Sequence, residues 1–306
     1  MVQIKKVITY NGHSDAVYTL EKGVEPHLFY SAGGDGNIVE WNLDKTESGR
    51  LIAKVQASVY SMCFVPERHL LIIAQNYEGI HLVDVLSNKE VGSLQFTESA
   101  IFDMKVVGDL LLVATGEGKL VVIDLPKLKV LHEVEVCDQK LRDILITQDN
   151  YCLVASSDGF VRKYQLPSFE LVTEVQAHDN SVFALLQKKN IVVSGSRDAR
   201  LKFWHTNDLS LDESINAHMY AINDIVQRQD GAYLATASMD KTIKIWDYAK
   251  RKLIKVIDKA RHKGHLSSVN KLLWLEYKDF LISCSDDRSI GVWHIDIEKR
   301  IILQSL

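Results

Sequence analysis

The chain has 306 residues, of which 46% are hydrophobic and 25% are charged. This balance is typical of a folded globular protein and excludes a disordered chain. No run approaches the roughly 20 apolar residues of a membrane-spanning helix, and the N-terminus lacks the apolar core of a signal peptide. The 36 basic and 40 acidic residues give a net charge of −4, so no general attraction to nucleic acid or to an anionic membrane is expected.

The cysteines give an expectation about the cellular compartment. They are Cys63, Cys137, Cys152 and Cys284, and none of them forms a C-x-x-C pair. Cysteines without such spacing are typical of reduced, mostly buried thiols. The sequence therefore predicts a cytoplasmic protein without disulfide bonds.

Short β-strands are predicted along the whole chain. The first predicted strands are residues 5–10, 17–20, 29–32, 38–41 and 50–55. They are rich in β-branched or aromatic residues, and Gly, Asp or Asn residues separate them. Later segments repeat the pattern, for example residues 153–155, 161–164 and 171–175. No window keeps a 3.6-residue apolar period over three turns, so strands are expected and helices are not.

A four-residue motif with fixed spacing recurs along this pattern. In each copy a Ser or Thr lies ten residues before a Trp, an Asp lies six residues before the Trp, and a His lies 20 or 22 residues before the Asp. The four copies are His13, Ser31, Asp35 and Trp41; His178, Ser194, Asp198 and Trp204; His218, Thr236, Asp240 and Trp246; and His265, Ser283, Asp287 and Trp293. Weaker copies end at Val83, Ile123 and Tyr164, so that seven repeats of 40–47 residues account for the chain.

Four short strands in each of seven repeats predict a β-propeller. The sequence resembles the WD-repeat (WD40) family over its whole length. Trp246-Asp247 is a full signature dipeptide, and Gly12-His13 and Gly264-His265 are full copies of the Gly-His signature. The resemblance implies an all-β, seven-bladed propeller with four-stranded antiparallel blades, formed as one domain by residues 1–306.

The same resemblance implies a structural role for the four-residue motif. In this family the Trp N–H bonds the Ser or Thr hydroxyl, the hydroxyl bonds the His, and the His bonds the Asp. An active site needs to occur once, whereas this set occurs four times, so a nucleophilic triad is not expected. Breaking one buried hydrogen bond of this kind is expected to cost about 1–3 kcal/mol. Asp158 is expected to matter less, because Cys137 replaces the His in its repeat.

Closing the propeller requires one strand from the far end of the chain. Residues 171–178 and 211–218 are outer strands that run directly into a His, and residues 5–13 have the same form. The N-terminal strand 5–10 is therefore predicted to be the outer strand of the seventh blade. Residues 300–306 are then surplus, and they either add a strand, displace the N-terminal strand or form a free tail.

The innermost strands carry the candidate binding residues. By strict alternation, the residue after the first apolar residue of each inner strand should face the channel mouth. These residues are Tyr18, Tyr60, Phe102, Arg142, Phe183, Asn223 and Asn270, with Arg197 and Met239 beside them in neighbouring turns. Aromatic and arginine side chains dominate protein interfaces. We therefore expect a non-catalytic scaffold that binds a protein or peptide, with an acidic or phosphorylated group paired to Arg142.

Two other functions stay open on the sequence alone. A small-molecule sensor or an enzyme would use the central channel, with Glu117, Asp158 and Asp286 as the available acids. Residues 241–265 contain nine basic and two acidic residues, a composition that suits nucleic acid or another anion. No His or Cys pair has zinc-site spacing and no glycine-rich phosphate loop leads into a helix, so neither a metal nor a cofactor is expected. The oligomeric state is not predicted.

Overall fold

The structure is a computed structural model that describes residues 2–45 and 49–297. Within these residues the strands form seven four-stranded antiparallel sheets. The innermost strand of each sheet contacts the innermost strand of the next, and the seventh sheet contacts the first, which closes a ring. The predicted all-β, seven-bladed propeller is confirmed.

Each blade places its strands in order from the channel outward. The N-terminal strand β1 is Val2–Asn11. Blades 1–3 contain β2 (Val17–Lys22), β3 (Leu28–Gly33), β4 (Asn37–Asn42) and β5 (Arg50–Lys54); β6 (Met62–Val65), β7 (Leu70–Gln75), β8 (Gly79–Asp84) and β9 (Lys89–Gln95); and β10 (Ile101–Val107), β11 (Leu110–Thr115), β12 (Lys119–Asp124) and β13 (Lys129–Glu135). Blades 4–6 contain β14 (Leu141–Ile146), β15 (Tyr151–Ser156), β16 (Phe160–Gln165) and β17 (Glu170–Gln176); β18 (Val182–Lys188), β19 (Ile191–Ser196), β20 (Arg200–His205) and β21 (Leu211–Asn216); and β22 (Ile222–Gln227), β23 (Tyr233–Ser238), β24 (Ile243–Asp247) and β25 (Lys252–Ile257). Blade 7 contains β26 (Val269–Trp274), β27 (Phe280–Ser285), β28 (Ser289–Ile297) and β1.

Strand β1 joins the two ends of the described chain. It pairs antiparallel with β28, with Ile4 opposite Ile295 and Tyr10 opposite Ile290. Tyr10 is buried, and its ring centroid lies 4.9 Å from that of Trp41 in blade 1. The outer strand of blade 7 is therefore the N-terminal strand. Residues 298–306, which include the predicted surplus segment 300–306, lie outside the described residues.

The hydrophobic core lies between the blades. In the described residues it forms seven clusters, and each cluster takes its buried side chains from two consecutive blades. The first apolar residue of each inner strand segment is fully buried there; these residues are Val17, Val59, Ile101, Leu141, Val182, Ile222 and Val269. Complete burial of such a side chain contributes about 1.5–3 kcal/mol relative to exposure, so this layer sets the register of the inner strands.

A β-bulge follows this buried residue in six blades of the described chain. In blade 3, Ile101 pairs with Thr115 while Asp103 pairs with Ala114, so Phe102 is the extra, unpaired residue. The same register shift occurs in blades 1, 4, 5, 6 and 7. A bulge breaks the alternation of side chains. The prediction of strict alternation is therefore wrong at this point, and in blades 3, 4 and 7 two consecutive residues line the channel mouth.

The longest repeat contains a short helix that was not expected. This helix, α1, spans Lys259–His262, and the Asp258 side chain caps it by accepting a hydrogen bond from the Arg261 N–H. Two 3₁₀ turns, Pro66–Arg68 and Tyr277–Asp279, link strands in blades 2 and 7. The extra residues of the 47-residue repeat are accommodated in α1 and the segment around it. None of the helices in the described part of the chain is long and apolar enough to cross a membrane.

Candidate functional site

Each four-residue motif forms one continuous chain of hydrogen bonds. In blade 6, Trp246 Nε1 donates to Thr236 Oγ1 at 2.9 Å, the hydroxyl bonds His218 Nε2 at 2.7 Å, and His218 Nδ1 bonds Asp240 Oδ2 at 2.8 Å. The sets in blades 1, 5 and 7 have the same connections, with distances of 2.7–3.1 Å. The hydroxyl accepts from Trp and donates to His, so it has no free role as a nucleophile.

The aspartate of each set also fastens two loops. Asp240 accepts the N–H of Met219, in the loop before the inner strand, at 3.1 Å and that of Thr242, in the turn between β23 and β24, at 3.0 Å. Burial opposes its ionisation, but the hydrogen bond and charge of His218 hold the pKa of Asp240 below its ordinary value. Burial lowers the pKa of His178 and of His218, which favours the neutral imidazole that such a chain requires.

Blades 2, 3 and 4 fill the same places with different chemistry. The hydroxyl place holds Ile73, Val113 and Val154, all fully buried. In blade 3 a smaller polar pair remains at the His and Asp places, where Thr97 Oγ1 donates to Glu117 Oε1 at 3.1 Å. The apolar residues belong to the clusters between blades, so packing replaces the hydrogen bonds.

The expectation that Asp158 lies outside any network is wrong. Asp158 pairs with Arg162 Nη2 at 2.8 Å and accepts from Ser156 Oγ at 2.5 Å. Arg162 lies on the neighbouring strand β16, with only 10% of its side chain exposed, and it also donates to Glu174. An arginine from within the blade thus supplies the positive partner that the missing histidine does not.

The predicted binding residues surround one cavity at the channel mouth. Its volume is about 580 Å³. All eight residues proposed as partner contacts line it: Tyr18, Tyr60, Phe102, Arg142, Phe183, Arg197, Asn223 and Met239. In blades 1, 3, 4, 5 and 6 the bulge leaves the inner-strand member unpaired, so its side chain lies at the rim. In blade 2, Tyr60 lies just before β6.

Five of these side chains are in continuous contact. The Tyr18 and Tyr60 rings meet edge to face with centroids 5.0 Å apart, and Tyr60 stacks on Phe102 at 5.5 Å. The guanidinium of Arg142 lies 4.3 Å from the centroid of Phe102 and 5.1 Å from that of Phe183. We call Tyr18, Tyr60, Phe102, Arg142 and Phe183 the aromatic ladder. It extends through blades 1–5, and each of its members is partly exposed.

Arg142 is held in place but keeps part of its donor capacity. Its Nε donates to Ser157 Oγ at 2.7 Å, and the two flanking rings fix the guanidinium plane. Burial, together with the nearby charge of Arg197, lowers the pKa of Arg142. Among the described residues no carboxylate pairs with Arg142, so its two terminal nitrogens can donate to a ligand.

The two asparagines of the mouth are bonded to the protein itself. Asn223 Nδ2 donates to Ser268 Oγ at 2.9 Å and to the Val269 carbonyl at 2.8 Å, which ties blade 6 to blade 7. Asn270 Nδ2 donates to the Val17 carbonyl at 2.9 Å and to Asp286 at 2.7 Å, which ties blade 7 to blade 1. Asn223 was predicted as a partner contact; it lines the cavity, but its amide group is occupied by blade 7.

A charged layer beneath the ladder was missed from the sequence. Asp103, Asp143 and Lys271 follow the bulged residues and line the cavity. The Asp103 and Asp143 carboxylates accept the N–H groups of Ile144 and Leu185 in the next blade at 3.0 and 2.6 Å. Burial, with the adjacent charge of Asp103, raises the pKa of Asp143 well above its ordinary value. The bulge is the reason that these residues face the channel.

Exposed apolar residues on the same face were also missed. Met219, Tyr220 and Leu266 follow the histidines of blades 6 and 7 and are 82%, 60% and 55% exposed. Tyr77, which lines the mouth and was also missed, is 62% exposed, and the predicted residue Met239 is 57% exposed. The sequence contained a signal for Met219, Tyr220 and Leu266. At the equivalent position directly after the histidine, blade 1 has the polar pair Ser14-Asp15, so apolar residues there are a departure from a solvent-exposed loop.

The acids considered for a catalytic channel are not gathered together. Glu117 bonds Thr97, Asp158 pairs with Arg162, and Asp286 alone of the three lines the cavity. In residues 2–45 and 49–297 no group of three or more His, Cys, Asp or Glu side chains is arranged to hold a metal ion.

The basic residues of segment 241–265 are dispersed and partly neutralised. Arg251 pairs with Glu213 at 2.9 Å and also with Asp212. Lys250 and Arg261 pair with aspartates three residues before them, and Lys244 donates to the Ala217 carbonyl at 2.6 Å. The segment therefore offers less free positive charge than its composition indicates.

Comparison with known proteins agrees with this architecture. The family profile described as "WD domain, G-beta repeat" matches residues 4–42, 169–205, 210–247 and 257–294, which contain the four complete motifs. The crystal structure of the WD40 beta propeller domain of Doa1 superposes with a TM-score of 0.85 at 17% identity, covering 98% of each chain. The chain belongs to the WD-repeat family, as the spacing of its motifs predicted.

Several curated proteins are similar to this chain at low identity. Apoptotic protease-activating factor 1 of Rattus norvegicus is 23% identical over 95% of this chain and 23% of its own length. Actin-interacting protein 1 of Caenorhabditis elegans is 21% identical over 93% of this chain and 47% of its own length. Protein HIRA of Dictyostelium discoideum is 30% identical over 33% of this chain and 11% of its own length. The chain spans less than half the length of these relatives.

Proposed function

We propose that this protein is a rigid, non-catalytic platform whose channel mouth binds another protein or a peptide. The observation that carries the proposal is the aromatic ladder, in which four rings and a guanidinium in mutual contact line an open cavity. Interface hot spots are enriched in aromatic and arginine residues that surrounding contacts shield from water. Met219, Tyr220 and Leu266 add an exposed apolar rim to the same face.

The ladder favours a partner that contributes apolar anchors and an anionic group. Apolar side chains would pack on Tyr60 and Phe102, and a carboxylate or phosphate would accept from the terminal nitrogens of Arg142. Because the flanking rings hold the guanidinium, little side-chain entropy is lost when it binds an anion. An acidic or phosphorylated segment is therefore the partner chemistry that we propose.

The proposal of a non-catalytic role is supported by how the reactive groups are used. The hydroxyls of the four complete motifs are engaged on both sides, and the Asp103 and Asp143 carboxylates each accept a backbone N–H from the next blade. A cytoplasmic location is part of the proposal, and the four cysteines, which are free thiols, support it. The name of one relative, the Probable cytosolic iron-sulfur protein assembly protein 1 of Eremothecium gossypii, refers to the cytosol.

The test is affinity capture with matched variants. The full chain, Phe102→Ala and Tyr277→Ala would each be immobilised and the retained proteins compared. Tyr277 follows the far end of β26 and so lies on the opposite face of the ring. We expect one set of proteins to be retained by the wild type and by Tyr277→Ala but not by Phe102→Ala. In a later titration, Phe102→Ala should weaken the free energy of partner binding by about 1–2 kcal/mol or more. Loss of stability without loss of retained partners in Phe102→Ala would contradict the proposal.

A small-molecule ligand is the second candidate. The cavity of about 580 Å³ is large enough for one, and Asp103 and Asp143 at its base would bind a polar group. Native mass spectrometry of the purified chain would detect a bound compound that Phe102→Ala does not retain. Nucleic-acid binding through residues 241–265 has less support, and a steep loss of binding with salt would be its signature.

A further inference from the structure

Unpaired positive charge is concentrated on one side of the mouth. Lys140 and Arg142 of blade 4 and Arg197 of blade 5 all line the cavity. Within the described residues none of the three forms an ion pair with a carboxylate, whereas Arg251 and Arg162 elsewhere on the molecule each have two acidic partners. The charge of Arg197 also contributes, after burial, to lowering the pKa of Arg142.

Unpaired carboxylates also lie on the other side of the mouth, in addition to Asp143 of blade 4, which accepts the Leu185 N–H. Asp286 of blade 7 lines the cavity, and Asp15 of blade 1 lies in the loop before Tyr18. Burial raises the pKa of Tyr18, and the charges of Tyr60, Asp286 and Asp15 add to this shift. Asp15 accepts from the Ala16 N–H and Asp286 from Asn270, and neither pairs with a cation in the part of the chain that the structure describes.

The aromatic ladder connects the two charged sides. In a ring of seven blades, blade 1 lies opposite the junction of blades 4 and 5, so the cationic and anionic sides face each other across the mouth. Tyr60 and Phe102, from blades 2 and 3, lie along the rim between them. Opposite charges held apart in this way produce a field directed across the opening, and such a field favours a ligand with complementary ends.

We infer that the ligand of the mouth is an extended peptide segment with an anionic side chain over Arg142 and Arg197, a Lys or Arg over Asp15 and Asp286, and an apolar side chain against Tyr60 and Phe102. This inference rests on the proposed function, and it adds the second charge and a fixed direction of the bound chain. The partly exposed hydroxyls of Tyr18 and Tyr60 lie beside this path and can bond the peptide backbone.

The experiment uses a peptide array with the full-length chain as the probe. Each peptide carries one Glu or phosphoserine, one Leu and one Lys, in both orders and with about two to six residues between the charges, because an extended chain advances about 3.3 Å per residue. The variants are Arg197→Glu, Asp286→Lys, their combination, and Phe102→Ala. Arg200→Glu, an exposed residue of blade 5 that does not line the cavity, is the charge-matched control.

We expect the wild type and Arg200→Glu to select peptides with one charge order. Arg197→Glu should weaken them about tenfold or more, and the double variant should select the reversed order. Equal binding of both orders, or Phe102-dependent binding of peptides without a Lys, would overturn the inference and leave the proposed function in place. The inference would also be overturned, with the proposed function left in place, if the chain captured a folded protein in a Phe102-dependent way but bound none of the peptides. If neither a peptide nor a captured protein depends on Phe102, the proposed function fails as well.

Discussion

Blades 3 and 6 have the same strand plan but stabilise their interiors with different chemistry. Blade 6 buries Thr236 between His218 and Trp246 in a complete hydrogen-bonded chain. Blade 3 has Val113 at the hydroxyl place and Ile123 at the Trp place, both fully buried in an apolar cluster. A blade can be stable with a buried polar set in which every member is hydrogen-bonded, or with an apolar set of similar volume. A polar set that lacks one member destabilises the fold, because it leaves a buried group without a partner. The motif is therefore one of two solutions to the same packing problem.

Blade 4 shows a third solution that lies between these two. Val154 replaces the hydroxyl, as in blade 3, but Asp158 keeps its place and pairs with Arg162. The arginine reaches the aspartate from four residues further along the chain. In a complete four-residue motif, here called a tetrad, the histidine reaches the aspartate from the loop before the inner strand. The loop contact that Asp240 provides in blade 6 is correspondingly absent from the described bonds of Asp158, which are to Ser156, Phe160 and Arg162.

Blade 7 tests whether a complete tetrad is enough to hold a blade. We expect removal of residues 2–11 to abolish cooperative unfolding and to cause aggregation, because it deletes β1 and exposes the edge of β28. Size-exclusion chromatography and thermal unfolding would measure this. Removal of residues 301–306 is the control and should be milder. If the C-terminal deletion is the more harmful one, the N-terminal strand does not provide the closure that matters.

Reciprocal substitutions at the hydroxyl place test the comparison directly. Thr236→Val leaves His218 Nε2 and Trp246 Nε1 without a partner, and we expect a loss of about 2–4 kcal/mol. Val113→Thr buries an unpaired hydroxyl in blade 3 and should cost about 1–3 kcal/mol. The free energy of unfolding from denaturant titrations measures both. A neutral Thr236→Val would mean that the tetrad hydrogen bonds contribute little.

Substitution of the aspartate by alanine should destabilise blades 4 and 6 to a similar extent. Asp240→Ala removes the partner of His218, and Asp158→Ala leaves the largely buried Arg162 with Glu174 as its remaining carboxylate partner. We expect each to cost about 1–3 kcal/mol in the free energy of unfolding. Asp138→Ala, at an exposed loop position, is the control and should be silent. A loss confined to Asp240→Ala would show that the arginine network is not a substitute for the tetrad.

The tetrads also predict a modest dependence of stability on pH. Burial lowers the pKa of His178 and His218 below 6.5, so between these values the unfolded chain binds protons that the folded chain does not. This contribution is complete above pH 6.5 and is lost as the pH falls from 6.5 through the folded-state pKa values of the two histidines. NMR titration of the imidazole signals, assigned with His→Gln variants, measures it directly. Titration of these two rings above pH 6.5 would contradict the prediction.

The sequence determined the number of blades, the anchors of each repeat and the members of the aromatic ladder. These features depend on spacing within about 40 residues, and a periodic signal repeated seven times is hard to misplace. Phe102 and Arg142 were placed side by side because the same position in consecutive repeats must meet at the channel. The apolar rim at Met219 and Leu266 was not predicted, although the residues directly after the histidine change from polar in blade 1 to apolar in blades 6 and 7.

The tertiary structure alone decided what faces the channel below the ladder and how charge is distributed around the mouth. Asp103 and Asp143 line the cavity because a bulge interrupts the alternation that the strand pattern implies, and a bulge depends on pairing with the neighbouring strand. The separation of Arg197 from Asp286 likewise arises when blades distant in sequence are closed into a ring. Local spacing fixes which residues share a position, whereas the contacts between distant segments decide which of those residues find a partner inside the protein and which remain free for a ligand.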